Sequence, residues 1–397
     1  MSPLGIIKDF KSSIFTFKDL LNQRFEFYVL WPFISLITFG LIMVASTTIT
    51  FSDPGLEASL FYFWRQTLAI FFSVICCLLI TLVPMKRLEA ISTWLLFIHI
   101  PILFLVLVPS IGHEVNGASR WIKLFGFSYQ PSEWVKLIMI IYVSSYIVRH
   151  INQVERDLKG FLKPFIVVFV ISFFLVLQPD FGSSVVVSCT ALGMLFLARV
   201  PLLRFLVWSL MLVIVLSFVA LSKPYRIERL MAFKDPWSDP LDKGWQLTQS
   251  LIAFGNGDWL GVGLGNSAQK LHFLPEGHTD FVFAIAAEET GVLGATIIVV
   301  CFLFLTCQVF RIAKVSIENK KPFGGFVAYG VGLSLGLQAF INIAVNVGVL
   351  PTKGLPLPFL SYANNNLVVS SLAIGMVLRV SYESTYRNTW HRRVKPL

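Results

Sequence analysis

Between residues 28 and 380 the chain returns ten times to an apolar run on the order of 20 residues long, the length an α-helix needs to cross a bilayer's hydrocarbon core. The runs cover roughly 28–50, 61–83, 91–110, 133–149, 163–178, 181–198, 202–222, 281–310, 324–349 and 361–380. They are continuous rather than alternating, so strands and a membrane barrel are not expected. Pro179 favours a turn between the fifth and sixth runs. The expected fold is an all-α polytopic membrane protein of about ten transmembrane helices. A tail at 1–27 precedes the membrane domain at 28–382, and a second tail at 383–397 follows it. Composition agrees: 56% of residues are hydrophobic and 14% charged, against about 25% charged in a soluble domain. A soluble chain of this size could not cover so much apolar surface.

The net charge is +10. The basic residues sit in short segments between apolar runs, so topology explains them and no nucleic-acid partner is expected. With the N-terminus placed in the cytoplasm, the inner segments hold Lys8, Lys11, Lys18, Arg24, Lys86, Arg87, Arg149, Arg199, Arg204, Arg311, Lys314, Arg379 and Arg392. The short outer segments hold few: Arg65, Arg120, Lys123, Lys136 and Lys353. An even number of spans then puts both termini inside. The long segment 223–280 falls outside, and a connection of that length is expected to be an ordered lid. Within it, 245-WQLTQSLIAF-254 reads as an amphipathic helix on the membrane surface. The five cysteines lie inside apolar runs without CxxC spacing and read as packing residues. The six histidines form no HExxH motif, so no structural metal site is expected.

Four outward clusters could carry chemistry. In 116-NGASRWIKLFGFSYQPSEWVKL-137, Glu133 and Lys136 share a helix face. The cluster is either an interfacial anchor with an internal ion pair or a cationic site for a phosphate, with Arg120 supplying a planar fork and the lysines point charges. In 178-QPDFGSS-184, Asp180 has the place of a helix N-cap. In 274-LPEGHTDFVFAIAAEETG-291, Asp280 stands at the outer end of a membrane helix, as a capping acid or as a catalytic one. Glu288 and Glu289 lie two turns deeper, where acids are costly. In 351-PTKGLPLPFLSYANNN-366, three prolines in eight residues break the lead-in to the last span. Lys353 there either snorkels or binds an anion. The stretch 261-GVGLG-265 lacks the βαβ context of a nucleotide loop.

Taken together these motifs resemble the SEDS proteins of bacterial cell-wall synthesis, the RodA, FtsW and SpoVE group. The resemblance covers about residues 28–385. It is carried by 116-NGASRWI-122, 130-QPSEWVKL-137, 178-QPDFGSS-184, 274-LPEGHTDFVFAIAAEE-289 and 351-PTKGLPLPFLSY-362. Pro-Thr-Lys-Gly at 351–354 is more similar to the division member of the group than to the elongation member. One segment departs: where the family usually has Gly-Gly-Ser-Ser, this chain has Ala363-Asn364-Asn365-Asn366.

The resemblance implies a peptidoglycan glycosyltransferase that polymerises lipid II at the outer face of the bacterial inner membrane, at the division septum. It implies Asp280 as the general base. It also implies substrate binding by Arg120, Glu133, Lys136, Lys353, Asp180, His278 and Ser361, with the basic residues on the undecaprenyl pyrophosphate leaving group. Expected partners are lipid II, the undecaprenyl-linked glycan, a class B penicillin-binding transpeptidase of the septum and other division proteins. No cofactor is required, although a Mg or Mn ion could bridge the pyrophosphate. Two other readings compete: a lipid II flippase, which would need polar residues along a path through the bundle, and a non-catalytic division scaffold.

Overall fold

The computed structural model describes residues 24–48, 56–115, 118–124, 127–221, 224–271 and 273–393. The tail at 1–27 lies almost wholly outside the described residues, as do the last four of the C-terminal tail. The helices are α1 (Arg24–Thr48), α2 (Leu56–Thr81), α3 (Met85–Leu105), α4 (Pro131–Arg149), α5 (Ile151–Arg156), α6 (Leu158–Leu177), α7 (Phe181–Leu197) and α8 (Leu202–Leu221). After α9 (Pro224–Lys234) and α10 (Trp245–Gly257) come α11 (Val282–Glu318), α12 (Pro322–Asn346) and α13 (Asn364–Arg393). Among the described residues, α1, α2, α3, α6, α8, α11, α12 and α13 are long and apolar enough to cross a membrane. The other two expected spans are also helices: α4, which carries Glu133 and Lys136, and α7, of 17 residues.

The bundle is organised about α12, which packs against α11, α4, α7 and α13. Close approach is possible because α12 is rich in small residues. A Cβ on Gly330 would sit 2.5 Å from Ile140 and 2.8 Å from the Met194 sulfur. Large apolar side chains such as Phe72, Trp94, Leu203 and Phe218 point away from the core. Only lipid can cover a surface of that kind.

One element contradicts the expectation that strands are absent. Residues 112–129 form an antiparallel meander in the order β1 (Gly112–Val115), β2 (Ala118–Leu124), β3 (Phe127–Tyr129). The local sequence accounts for it. In Ala118-Ser-Arg-Trp-Ile-Lys-Leu124, Ala118 and Ile122 are buried while Lys123 is exposed. That period-2 pattern places Arg120 on the inward face. The expected surface helix at 245–254 is also corrected. It exists as α10, but Leu247, Thr248, Ser250 and Ala253 are buried against α11 and α12. Ser250 Oγ donates to the Asn346 carbonyl at 2.7 Å. The polar residues of its inner face find partners in protein, which a lipid surface could not supply.

The 37-residue α11 is broken at Gly291 (φ 70°, ψ −174°). The break frees backbone groups that hydrocarbon cannot solvate, and the segment 258–263 takes them. Val262 and Gly263 N–H donate to the Glu288 and Glu289 carbonyls at 3.0 and 3.1 Å. Val292 and Leu293 N–H donate to the Asp258 and Trp259 carbonyls at 2.9 and 3.3 Å. Gly261 (φ 81°) fits only because it lacks a side chain; a Cβ there would lie 2.2 Å from the Glu289 oxygen. The glycines of 261–265 therefore serve a backbone splice. The two acids at the break hold the same segment. Ser267 Oγ and Gln269 N–H donate to Glu288, and Asn256 donates to it at 3.2 Å. Glu289 accepts from Ser46 at 2.6 Å and pairs with the buried Lys270 at 3.3 Å.

Gly291→Ala is expected to cost at least about 2 kcal/mol, since it combines left-handed strain with a clash against Trp259 backbone. Gly255→Ala, on α10 with open space around it, is expected to stabilise by about 0.5–1 kcal/mol. Thermal unfolding of the two variants in detergent measures the contrast.

Candidate active site

The sheet, the segment 274–281, the N-terminal end of α7 and the segment 351–363 meet at one end of the bundle. Asp280 lies in a tight turn before α11: the Glu276 carbonyl accepts from the N–H groups of Thr279, Asp280 and Phe281 at 3.1, 3.1 and 3.2 Å. The Asp280 carbonyl is fixed from below by α12. Asn342 and Asn346 side-chain amides donate to it at 2.8 and 3.0 Å. The Asn342 amide also donates to the Leu355 carbonyl at 2.7 Å, and Gln338 donates to Pro356 at 3.1 Å. One face of α12, with polar groups at 338, 342 and 346, thus holds both Asp280 and the broken segment in place.

The side chain of Asp280 then faces Gly354. A methyl group on Gly354 would lie 3.4 Å from Asp280 Oδ2 and 3.9 Å from an Arg120 guanidinium nitrogen. Carboxylate and guanidinium therefore flank the same point, which glycine leaves open. Arg120 reaches it from β2, held by donating to the Gln178 carbonyl at 3.3 Å and to the Pro179 carbonyl. Lys353 stands next to Gly354, its ammonium 3.8 Å from the centre of the Phe181 ring. Burial pushes the Asp280 carboxyl up to about 7. Glu276 and Asp180 add to the rise, and Arg120 and Arg229 oppose it.

The remaining expected site residues take different places. Asp180 is the N-cap of α7, its Oδ1 accepting from Ser183 N–H at 3.1 Å. It also contributes negative potential at Asp280. His278 lies between the Tyr62 and Tyr362 rings, at 6.0 and 5.8 Å, and its carbonyl accepts from Tyr362 N–H. Burial lowers the His278 imidazole from its ordinary value, which favours the neutral ring. Ser361 is buried, and its hydroxyl accepts from Leu357 N–H at 2.8 Å. Glu133 and Lys136 lie behind the segment 351–363, in the bundle. They are 2.8 Å apart and 2% and 5% exposed, with Gln338 3.1 Å from the ammonium and Asn366 2.7 Å from the carboxylate. Sequence reasoning missed Asn342, Asn346, Gln338 and Arg229. The first three carried a signal: polar amides four apart in an otherwise apolar run.

The fold and this site define a polytopic helical membrane protein with an acid and two cations gathered at one end of its bundle. The chain belongs to the FtsW, RodA and SpoVE family, described as "Cell cycle protein", which matches residues 27–386. Its relatives include the probable peptidoglycan glycosyltransferase FtsW of Allochromatium vinosum, 42% identical over 347 residues and 87% of each chain. The protein of the same description from Coxiella burnetii is 42% identical over 367 residues, 92% of this chain and 99% of the relative. Among solved structures, a chain reported under "Structural coordination of polymerization and crosslinking by a peptidoglycan synthase complex" matches with a TM-score of 0.72 and 26% identity. That match covers 90% of this chain and 98% of the other. The rod shape determining protein RodA of Thermus thermophilus shares the fold, with a TM-score of 0.66 at 22% identity over 90% of this chain and 97% of its own.

Asn342→Leu removes the donor to the Leu355 carbonyl and one of two donors to Asp280. The expected cost is about 2 kcal/mol in thermal unfolding, because a buried carbonyl loses its partner.

Proposed function

We propose that this chain is a peptidoglycan glycosyltransferase that polymerises lipid II during cell division, with its site at the outer face of the cytoplasmic membrane. One observation carries the reading: the Asp280 carboxylate and the Arg120 guanidinium flank an open point at Gly354, and the neighbouring residue in the chain is Lys353, its ammonium over the Phe181 ring. A base and a cation that face the same point are the groups that an attacking hydroxyl and a glycosyl pyrophosphate would require. The names of the relatives support the activity. The outer placement is supported by the lysines and arginines Lys86, Arg87, Arg149, Arg311 and Lys314, which fall in segments at the opposite end of the helices.

The chemistry is an inverting displacement. The acceptor's 4-hydroxyl attacks the donor's anomeric carbon, its proton passes to Asp280, and the bond from that carbon to the pyrophosphate oxygen breaks. The electron pair leaves with undecaprenyl pyrophosphate, whose charge Arg120 and Lys353 stabilise as it develops. The leaving group needs no proton, so one acid suffices, unlike the carboxylate pairs of many glycosidases. A carboxyl near 7 is matched to taking a proton at physiological pH. Lys136 and Glu133 act at one remove: through Gln338 and Asn366 they brace the segment that presents Lys353. Asp180 organises the helix end beneath Lys353, while His278 and Ser361 shape the walls. Among the described residues no group of three His, Cys, Asp or Glu could hold a metal. No ligand cluster among them demands a divalent ion, and a Mg or Mn ion bridging the pyrophosphate would draw most of its ligands from phosphate oxygens and water.

A flippase would need an open polar path along the bundle. The void beside Glu133, Lys136, Gln338 and Asn366 measures only about 20 Å³, room for a water and not for a disaccharide. The expected protein partner is a class B penicillin-binding transpeptidase, supported by the likeness to a synthase complex that couples polymerisation to crosslinking.

With purified protein, lipid II and detergent, Asp280→Asn is expected to lower the polymerisation rate about 10²–10⁴-fold without loss of fold. A near-normal rate would remove Asp280 as the base and with it the mechanism. The wild-type rate is expected to fall as pH drops through about 7, because protonation leaves Asp280 unable to accept the hydroxyl proton. A rate that is flat from pH 8 to 6 would contradict this.

A further inference from the structure

The start of α13 reads Ala363-Asn364-Asn365-Asn366 where the family usually has Gly-Gly-Ser-Ser, and two of the asparagines make side-chain hydrogen bonds to other elements. Asn366 Nδ2 donates to Glu133 Oε2 at 2.7 Å. Asn365 does something different. Its Oδ1 accepts from Gln130 N–H at 3.2 Å and its Nδ2 donates to the Ser128 carbonyl at 2.7 Å. Ser128 and Gln130 are two apart, so both groups point to one edge of the chain. β3 is one of the two edge strands of the sheet. The side-chain amide of Asn365 thus pairs with that edge as the backbone of another strand would.

The consequence reaches the site. β3 pairs with β2 through Ile122–Tyr129 and Lys123–Ser128, and β2 carries Arg120. The sheet has three strands, the outermost only three residues long, and so has little stability of its own. Two bonds from Asn365 fasten it to the same segment, 351–366, that presents Lys353 and Gly354. A serine in this place has a single oxygen on a shorter side chain and cannot span both backbone groups.

We propose that Asn365 is a positioning residue: by completing the edge of β3 it fixes the strand of Arg120 against the Lys353–Gly354 segment, and so sets the spacing of the two cations that receive the pyrophosphate. This rests on the function proposed above. It concerns a position at which this chain departs from the family's usual residue, and it acts through Arg120 rather than on substrate.

Three variants in the full chain test it. Asn365→Asp keeps size and the acceptor for Gln130 but sets an acceptor against the Ser128 carbonyl. Asn365→Ala removes both bonds, and Asn365→Ser restores the family's residue. Hydrogen exchange of 118–124 and 127–130 is read beside lipid II polymerisation. Asp and Ala variants are expected to raise exchange in those two segments about tenfold or more and to lower kcat about 5–20-fold, with KM changed less than about threefold. Serine is expected to fall between. In an Arg120→Lys background, where the guanidinium fork is already gone, adding Asn365→Ala is expected to change kcat less than about twofold. A merely structural residue would give the same fold-loss in both backgrounds, and that result would overturn the proposal. So would unchanged exchange in 118–124, which would show that the tether does not reach the strand of Arg120. If the wild-type protein made no glycan, the proposed function would fail on its own, and the exchange pattern would still decide whether Asn365 holds the strand.

Discussion

Hydrocarbon cannot solvate a peptide group, and this chain breaks its helical backbone repeatedly at one end of the bundle. The breaks lie at 178–180, before α7; at 288–291, within α11; and at 347–363, before α13. Each is tolerated because protein groups take the freed donors and acceptors. Arg120 satisfies the carbonyls of the first, the segment 258–263 splices into the second, and Gln338, Asn342 and Ser361 hold the third. The requirement that buried backbone be paired is thus what draws these segments together.

The groups that repair the breaks are also those that build the site. Arg120 is fixed by the carbonyls it satisfies, which leaves its guanidinium beside Gly354. Asn342 bridges Asp280 and Leu355, so the acid and the cation-bearing segment are held by one side chain on a central helix. A site placed this way is preorganised before substrate arrives, the condition under which fixed charges stabilise a developing anion most strongly. It also explains why the acid is elevated. The turn that presents Asp280 lies against packed helices, and desolvation outweighs the nearby guanidinium.

Much of this was legible in the sequence, and the reason is physical. Continuous apolar runs of bilayer length have one reading, and charges near their ends stand out against them. Asp280, Arg120 and Lys353 stand out as candidates in this way, while the choice of Asp280 as base rests on the family resemblance. The sheet was missed because its alternation spans only seven residues in Ala118–Leu124, too short to compete with the helical pattern around it. The deep acids Glu288 and Glu289 suggested function, yet their partners, Ser267 and Lys270, come from a loop whose fold no local periodicity encodes. Lys136 shows the same limit. Its spacing from Glu133 announced the pair, but nothing local revealed that Gln338 and Asn366, from two later helices, would enclose it.

The meeting of Asp280 and Arg120 at Gly354, next to Lys353 in the chain, is the claim from which the function follows. The most direct measurement is a cryo-electron microscopy map of the protein with lipid II bound in a lipid nanodisc. The expected result is pyrophosphate density between the Arg120 guanidinium and the Lys353 ammonium, with a sugar ring within hydrogen-bonding reach of the Asp280 carboxylate. Pyrophosphate density elsewhere on the bundle, with Asp280 facing lipid or protein alone, would contradict it.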